Sequence, residues 1–411
     1  MGKWKIALAA TLTVALLGIG NHNAGATESH TLKAAGEAKK EIPEQMTRFV
    51  ENADDAFAYP DAVRGIYVSG HSAGGERMEE LLDFVEQTDL NAMVIDIKDD
   101  RGYLTYQSED GHFDNETALI ENPARLMEQL NERDIYPIAR IVVFKDTYFA
   151  NQRPDLSFLS DGSVWSNNQG ESFVNPFEKE VWDYNVEVAK RAADLGFQDI
   201  QFDYVRFPEG FETRDEDLDY SFGSYDEKKE RVQTRVDAVS DFVTYAGDRL
   251  SDYDVNISVD IFGYAAMIEE APGIGQNFSR IAESTDVISS MIYPSHWTPH
   301  FGIETPDAAP YELIDAYTKV EKPLLTRLDD PPLSRPWIQD FTASWLGPGN
   351  YIPYGKEEVE AQIQALYEND IHEYLLWNAG NTYTEGVQHH PGRGENKPIN
   401  DTNEKSSLCK H

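Results

Sequence analysis

The chain has 411 residues, and 73 Asp and Glu against 35 Lys and Arg give it a formal net charge of −38. This acidity argues against a nucleic-acid-binding protein, which needs a basic surface. A hydrophobic fraction of 40% is sufficient for a large core and excludes a fully disordered chain. Because Cys409 is the single cysteine, an intrachain disulfide and a multi-cysteine metal centre are both excluded.

The first residues have the pattern of a secretory signal. Two lysines precede an apolar run over 6–19, and an A-x-A arrangement of small residues ends at Ala26. This predicts a signal peptide over 1–26 and a secreted, extracellular protein with no stable membrane insertion after cleavage. An uncleaved membrane anchor is the alternative, which the two glycines ending the apolar run disfavour. Residues 27–60 are polar and are predicted to form a leader outside the core.

Short runs of β-branched and aromatic residues alternate with amphipathic patterns in the rest of the chain. The runs predict eight strands, over 63–69, 92–97, 136–144, 199–207, 256–264, 287–293, 337–342 and 373–377. Helical periodicity predicts helices over 76–88, 123–133, 178–195, 225–250 and 359–369.

This alternation is typical of β–α units with parallel strands. Eight strands over this length predict an α/β fold, a (β/α)8 TIM barrel with enlarged βα-loops, over 61–386. An open doubly wound sheet is the alternative, but it would more often carry a glycine-rich phosphate-binding turn after its first strand. The tail over 387–411 has no apolar face and is predicted to be disordered.

Catalytic groups of such barrels stand at the C-terminal ends of the strands. Asp203 lies inside the fourth predicted strand and faces the same side as Gln201, because side chains alternate along a strand. Burying a carboxylate costs several kcal/mol unless it is paired, so a partner such as Arg206 is expected. The alternative is a structural Asp–Arg pair that fastens the following loop.

Asp260 repeats this pattern in the fifth predicted strand. Two carboxylates on adjacent strand ends are the equipment for glycoside hydrolysis, with one as nucleophile or base and the other as a protonated acid. Apolar surroundings raise the pKa of a carboxyl group and allow it to hold a proton at neutral pH. The alternative for Asp260 is a hydrogen-bond anchor for the next loop. Asp340, in the seventh strand, is a third candidate carboxylate.

Other polar residues near strand ends are candidate binding groups. Asp96 and Lys98 are expected to share a face, where Lys98 would hold a sugar hydroxyl or form a structural ion pair. Arg140 in the third strand is a candidate charge partner for Asp96 or Asp203. Gln339 has the parity of Trp337 and is expected to face the barrel, and Asn378 follows the eighth strand.

Four aromatic side chains near strand ends are candidate platforms for sugar rings, whose C–H faces suit flat apolar surfaces. They are Tyr293, Trp297, Trp337 and Trp377. Packing in the core is the alternative for each of them taken singly, and the presence of four together favours sugar binding.

The segment over 70–74 matches the G-x-S-x-G pattern of a serine esterase, with Ser72 as the nucleophile. It follows the first predicted strand, whereas such an elbow normally rises from the middle of a sheet, so the glycines are interpreted as a close-packed βα-loop. His296 and His300 are separated by Pro299, which disfavours a shared metal face. No spacing indicates an EF-hand calcium loop, and no metal or cofactor is predicted.

The stretches at 63–68 (VRGIYV), 91–99 (NAMVIDIKD) and 202–208 (FDYVRFP) resemble those of a bacterial family of glycoside hydrolases. The resemblance implies a (β/α)8 barrel related to amylase-like and polygalactosaminidase-like barrels. It also implies that Asp203, on the fourth strand, is the carboxylate nucleophile. The amylase-like pattern has an arginine two residues earlier, where this chain has Gln201, and a glutamate on the fifth strand, where it has Asp260.

We therefore predict a secreted glycoside hydrolase that cleaves a polysaccharide with paired carboxylates. Asp203 is the predicted nucleophile or base and Asp260 the predicted acid. The protein is expected to be a monomer. A non-catalytic carbohydrate-binding barrel is the main alternative, and a serine esterase is a third.

Overall fold

The computed structural model describes residues 57–108, 111–268 and 270–392. The predicted signal peptide over 1–26, most of the leader and most of the predicted tail lie outside these ranges. Within them, no helix combines the length and apolar character needed to cross a bilayer.

Eight parallel strands close into a barrel, as predicted. The strands of the described chain are β1 (Arg64–Val68), β2 (Ala92–Lys98), β3 (Leu104–Tyr106), β4 (Glu116–Ile120), β5 (Tyr136–Val142), β6 (Leu159–Ser160), β7 (Ser163–Val164), β8 (Asp199–Asp203), β9 (Asn256–Phe262), β10 (Val287–Met291), β11 (Leu333–Ser334), β12 (Trp337–Gln339) and β13 (Tyr374–Trp377). The barrel order is β1-β2-β5-β8-β9-β10-β12-β13, and β13 pairs with β1 to close the ring. The (β/α)8 prediction is confirmed.

Helices cover the outside of the barrel. They are α1 (Gly70–Ala73), α2 (Arg77–Glu86), α3 (Pro123–Glu132), α4 (Thr147–Gln152), α5 (Lys179–Asp194), α6 (Arg231–Leu250), α7 (Phe278–Ala282), α8 (Pro310–Leu325) and α9 (Lys356–Glu368). Each longer helix packs on the barrel through an apolar stripe. In α2 the stripe consists of Met78, Leu81, Leu82 and Val85, which recur at helical spacing and are all buried. The short pairs β3–β4 and β6–β7 lie in the enlarged loops after β2 and β5.

The barrel interior contains both apolar and polar side chains. Val94 and Ile138, on β2 and β5, pack in the interior with Leu375 on β13. On β8 and β9, by contrast, the buried residues include Gln201 and Ser258, which are register partners. Buried polar groups must be paired, so this side of the barrel is suited to holding charged side chains.

Two glycines of the G-x-S-x-G segment allow close packing of the first βα-loop. A Cβ added to Gly74 would lie 1.7 Å from the carbonyl oxygen of Leu119 on β4, and one added to Gly70 would lie 2.4 Å from Thr105. Real side chains do not tolerate such distances, so glycine is required for packing at both positions.

Residues predicted to lie in the leader pack against the N-terminal end of the barrel. The Tyr59 hydroxyl donates to both carboxylate oxygens of Glu373 at 2.9 Å, and its ring lies edge-on to that of Tyr136 at 5.2 Å. The predicted tail also differs from expectation at its start, because Val387 and His389 are buried. Both ends of the domain are therefore longer than the apolar pattern indicated.

His389 fastens this C-terminal segment and should make it sensitive to acid. Its ring nitrogen Nδ1 lies 3.2 Å from the Tyr374 hydroxyl, and its ring packs edge-on against Phe84. Burial lowers the pKa of His389 to about 4, although Asp89 opposes this shift and Arg64 adds to it. Because the unfolded chain then binds the proton more tightly, stability is lost as the pH falls from about 6.5 towards 4.

We expect the wild-type protein to lose about 2 to 3 kcal/mol of unfolding free energy through this group between pH 7.5 and 4.5. The variant His389→Gln cannot titrate and should not show this component in denaturant unfolding at the two pH values. His390→Gln, on the same segment, is the matched control and should follow the wild type. Parallel pH dependence in wild type and His389→Gln would contradict the prediction.

Candidate active site

A single guanidinium group organises the carboxylates at the C-terminal end of the barrel. Arg140 on β5 is 1% exposed; its Nη1 donates to Asp96 Oδ1 at 2.6 Å, and its Nη2 and Nε donate to Asp203 Oδ2 at 2.6 and 3.0 Å. Its Nη2 also lies 3.2 Å from Asp100 Oδ1. Burial opposes the charge of Arg140, but the three carboxylates together raise its pKa well above the usual value.

Asp203 is the last residue of β8, and both of its carboxylate oxygens are engaged. Oδ2 accepts from Arg140, whereas Oδ1 accepts a 2.6 Å hydrogen bond from the backbone N–H of Tyr204. Tyr204 has φ of +53°, a left-handed conformation that costs free energy in a residue other than glycine. This turn ends the strand and directs an N–H at the carboxylate. One acceptor position of Oδ1 is not used by these bonds, and 7% of the side chain is exposed.

Asp260 occupies the neighbouring position on β9. Phe202 and Val259 are register partners, so Asp203 and Asp260, one residue further along each strand, stand side by side. Adjacent strands lie about 4.8 Å apart. Asp260 Oδ1 accepts from Trp337 Nε1 at 2.8 Å. Burial, and then the negative charge of Asp203, raise the pKa of Asp260 well above its usual value.

Asp96 completes the group of carboxylates around Arg140. Its Oδ2 accepts from the Tyr67 hydroxyl at 2.5 Å, and Oδ1 faces Arg140. Burial raises the pKa of Asp96 to about 6, and the opposing effects of Arg140 and Tyr67 do not cancel this shift. The site thus contains carboxylates whose environments favour different protonation states, which is the condition for acid–base chemistry.

Aromatic rings line the same region. Trp377 stacks on Tyr67 with ring centroids 4.2 Å apart, and the Arg140 guanidinium lies 5.5 and 5.6 Å from the two rings. Trp337 meets Trp377 edge-on at 5.5 Å, and Tyr293 lies 6.3 Å from it. After burial, the charges of Asp260 and Asp203 raise the pKa of Tyr293, so its hydroxyl lies in the field of both carboxylates.

Trp297 and Arg206 are placed differently from the other candidates. Trp297 packs against Tyr317 of α8, with centroids 5.9 Å apart, and against Phe301. The Arg206 guanidinium lies between the rings of Tyr204 and Phe262, 4.5 Å from each. Its Nη2 donates to Glu209. The expected partner of Asp203 is therefore replaced by Arg140, because the backbone turn at Tyr204 directs Arg206 elsewhere.

Lys98 does not share a face with Asp96. The register of β2 against β5 shifts between these residues: Asp96 pairs with Arg140, and Lys98 pairs with the next residue, Ile141. This irregularity turns Lys98 towards the helical layer, where Nζ lies 2.7 Å from Asp146 Oδ2 and 3.0 Å from Asn185 Oδ1 on α5. The structure thus has the structural ion pair that the sequence left as an alternative, with Asp146 as the partner.

Asp340, Gln339 and Asn378 all anchor loops. Asp340 accepts from the hydroxyl and the backbone N–H of Thr384, at 2.6 and 3.0 Å. Gln339 donates to Asp307 at 3.0 Å, and Asn378 donates to the carbonyl oxygen of Asp340 at 2.6 Å. Burial raises the pKa of Asp340, which the hydrogen bonds from Thr384 oppose. These contacts join the loops after β10, β12 and β13 and do not include Asp203 or Asp260.

Sequence reasoning missed three residues of the site. Tyr67 belongs to the VRGIYV stretch but was not predicted to bond to Asp96, although the alternation of side chains along β1 directs Tyr67 into the barrel. Asp100 follows the end of β2, which is the expected position of functional side chains. The positive φ of Tyr204 has no signal in the sequence.

The hydroxyl of Ser72, the candidate esterase nucleophile, has a serine neighbour in the structure. Ser72 accepts a 3.3 Å hydrogen bond from Ser69, and among the described residues no histidine bonds to its hydroxyl. His296 Nδ1 instead lies 3.0 Å from the Ser295 hydroxyl. In the same ranges, no three His, Cys, Asp or Glu side chains are grouped as metal ligands.

A separate cavity of about 610 Å³ opens at the other end of the barrel. Tyr136 and Asn256, which begin β5 and β9, line it together with Asp286. In this fold the N-terminal face contributes to stability and the C-terminal face carries the chemistry. The strand-end carboxylates around Arg140 are therefore the candidate active site.

Comparisons with known proteins show the family and the fold of the chain. A family model described as "Putative glycosyl hydrolase domain" matches residues 65–383. The glycoside hydrolase domain of PgaB (BpsB) from Bordetella bronchiseptica is 15% identical, with a TM-score of 0.56 over 78% of this chain and 94% of that chain. The β-galactosidase from Marinomonas ef1 is 11% identical, with a TM-score of 0.51 over 77% of this chain and 54% of that chain. Both show the barrel fold.

A hypothetical protein from Ruminiclostridium thermocellum is 30% identical over 47% of this chain and 96% of its own length, with a TM-score of 0.41. No curated protein matches the chain.

Proposed function

The chain belongs to the family of glycosyl hydrolase domains whose model it matches over residues 65–383, and from this premise we propose that it hydrolyses a polysaccharide outside the cell with Asp203 and Asp260. The observation that carries the proposal is the contrast between two neighbouring carboxylates. Asp203 accepts three hydrogen bonds from N–H donors, two of them from a guanidinium. Asp260 is buried beside it, and its pKa is raised.

Asp203 is the nucleophile in this proposal. Arg140 holds Oδ2 through two charge-assisted hydrogen bonds, which fix the position of the carboxylate. The remaining acceptor position of Oδ1 is the one that attacks the anomeric carbon. The Tyr204 N–H orients Oδ1 for this attack. This role gives a reason for the left-handed backbone at Tyr204, which costs conformational free energy.

Asp260 is the acid. Trp337 donates to Oδ1, so the proton is carried on Oδ2. As the glycosidic bond breaks, Asp260 gives this proton to the leaving oxygen while Asp203 forms the new bond to the sugar. In the second step Asp260 takes a proton from water, and the hydroxyl of that water displaces Asp203 from the anomeric carbon. The products are two saccharides, and the net change is the addition of one water molecule.

The side-by-side placement on adjacent strands supports a retaining mechanism. The two backbones lie on strands about 4.8 Å apart, and retaining glycosidases hold their two carboxyl groups about 5 to 5.5 Å apart, whereas inverting ones hold them roughly 6.5 to 9.5 Å apart. Trp377 and Tyr293, which lie beside the carboxylates, would contact the bound sugar ring. The signal-like N-terminus and the strong acidity support an extracellular location.

The test is hydrolysis of a panel of soluble polysaccharides, namely starch, xylan, galactan, chitosan and mixed-linkage β-glucan. We expect new reducing ends from at least one polymer, and ¹H NMR of the first products should show the anomeric configuration of the substrate. An initial product of opposite configuration would contradict the retaining assignment. Binding of a polymer in native affinity gels without any release of reducing ends would indicate the non-catalytic carbohydrate-binding barrel.

A further inference from the structure

Large exposed apolar side chains are concentrated on the face that carries the carboxylates. In the described residues there are five of them, and each follows the C-terminal end of a barrel strand: Tyr103, Tyr264, Ile268, Phe301 and Trp345. Trp345, on the loop after β12, is the most exposed at 64%. Tryptophan is rarely exposed to this extent, and an apolar group exposed beside a functional site indicates an interaction surface.

A continuous series of rings joins Trp345 to the active site. The Trp345 ring stacks on Phe341 with centroids 5.7 Å apart and an interplanar angle of 22°. Phe341 lies 6.1 Å from Tyr293, and Tyr293 lies 6.3 Å from Trp377, as measured between ring centroids. The Arg140 guanidinium lies against the Trp377 ring. The series of rings that begins beside the carboxylates therefore extends outward through three ring contacts, passes through the buried Tyr293 and ends at an exposed indole.

The surroundings of Trp345 suit a flat ligand. Phe341 supports one side of the indole, and His296 meets it edge-on at 6.3 Å. A supported indole loses little conformational freedom on binding, and its face matches the C–H surface of a pyranose ring. A protein partner is less suited to this position, because the series of rings leads directly to the buried carboxylates.

We propose that Trp345 forms an outlying sugar-binding site of the active cleft, which selects long glycan chains over short oligosaccharides. This inference rests on the proposed glycosidase function and adds a second binding position and a preference for chain length, with sugar residues bound between Trp377 and Trp345. A chain that occupies the outer site gains binding energy far from the bond that is cleaved, and a disaccharide held at the carboxylates does not reach it.

The experiment uses the full chain and oligosaccharides of two to eight residues, prepared from the panel polysaccharide that the wild type cleaves. For Trp345→Ala we expect a loss of kcat/KM that grows with chain length and reaches about tenfold on the longest oligosaccharide. Tyr103→Ala is the matched control, because Tyr103 is also exposed on this face and packs on Tyr148 but does not belong to the ring series. It should follow the wild type at every length.

The outcomes separate this inference from the function on which it rests. A loss that is the same at all lengths, or equal losses in both variants, would overturn the outer site and leave the hydrolase intact. Failure of the wild type to cleave or to bind all five polysaccharides would overturn both proposals. Dimerisation of the wild type that Trp345→Ala abolishes, measured by sedimentation, would also overturn the outer site, because the indole would then have a protein partner.

Discussion

Asp203→Asn should lower kcat on the cleaved polysaccharide by about 10³-fold or more, because an amide cannot form the covalent bond to the anomeric carbon. The substitution keeps the volume of the side chain and an oxygen for Arg140, so the affinity for the polymer should change little. The amide NH2 then faces the Tyr204 N–H, so some unfolding free energy should be lost. The measurements are reducing-end release for turnover and retardation in native affinity gels for binding. If the variant releases reducing ends at the wild-type rate, Asp203 is not the nucleophile.

The matched control is Asp340→Asn. Asp340 is also a buried carboxylate at a strand end and was the third candidate carboxylate from the sequence. Its two hydrogen bonds come from Thr384, and it anchors the loop after β13. We expect Asp340→Asn to retain kcat within about threefold and to cost about 1 kcal/mol of unfolding free energy in urea. A loss of turnover as large as that of Asp203→Asn would transfer the catalytic role to Asp340.

The barrel itself was predictable because its strands are buried on both faces. Such strands appear in a sequence as short continuous apolar runs, and all eight runs became barrel strands within a few residues of the predicted bounds. Helix Pro310–Leu325 was not predicted. Its first residue is Pro310, and Pro323 lies two residues before its end. Prolines usually indicate loops, so this segment did not have the pattern of a helix.

The positions of the candidate carboxylates were predictable, but their partners were not. Alternation along a strand places Asp203 and Asp260 at the correct end and on neighbouring strands. The predicted fourth strand continued to residue 207, whereas β8 ends at Asp203 because Tyr204 adopts a left-handed conformation. Arg206 therefore does not form the expected pair with Asp203, and Lys98 does not share a face with Asp96 because the register of β2 shifts between them.

Loop anchors were the other source of difference. Gln339 and Asn378 have the position and chemistry of binding residues, but their partners come from loops distant in sequence, such as Asp307. Nothing in the spacing of residues along one strand indicates which loop folds back onto it. A polar residue at a strand end is therefore a candidate in both roles, and the contacts decide between them.

Arg140→Met should be the most disruptive single change in the site, because it removes the positive charge shared by Asp96, Asp100 and Asp203. Leaving buried carboxylates without a counter-charge costs about 3 to 5 kcal/mol, which corresponds to a fall in Tm on the order of 10 °C. The buried carboxyl groups then favour their protonated forms. The unfolded state binds fewer protons than the folded state in this range, so the stability of the variant falls as the pH rises from about 4 to 7.

The matched control for Arg140→Met is Arg335→Met, which breaks a fully buried ion pair with Asp199 deeper in the barrel. Both variants should lose stability in denaturant unfolding, but only Arg140→Met should also lose turnover. The reason is that Arg140 holds the carboxylate that attacks the sugar, whereas Arg335 contacts a different carboxylate. Wild-type kcat in Arg140→Met would show that the cluster around this guanidinium serves stability alone.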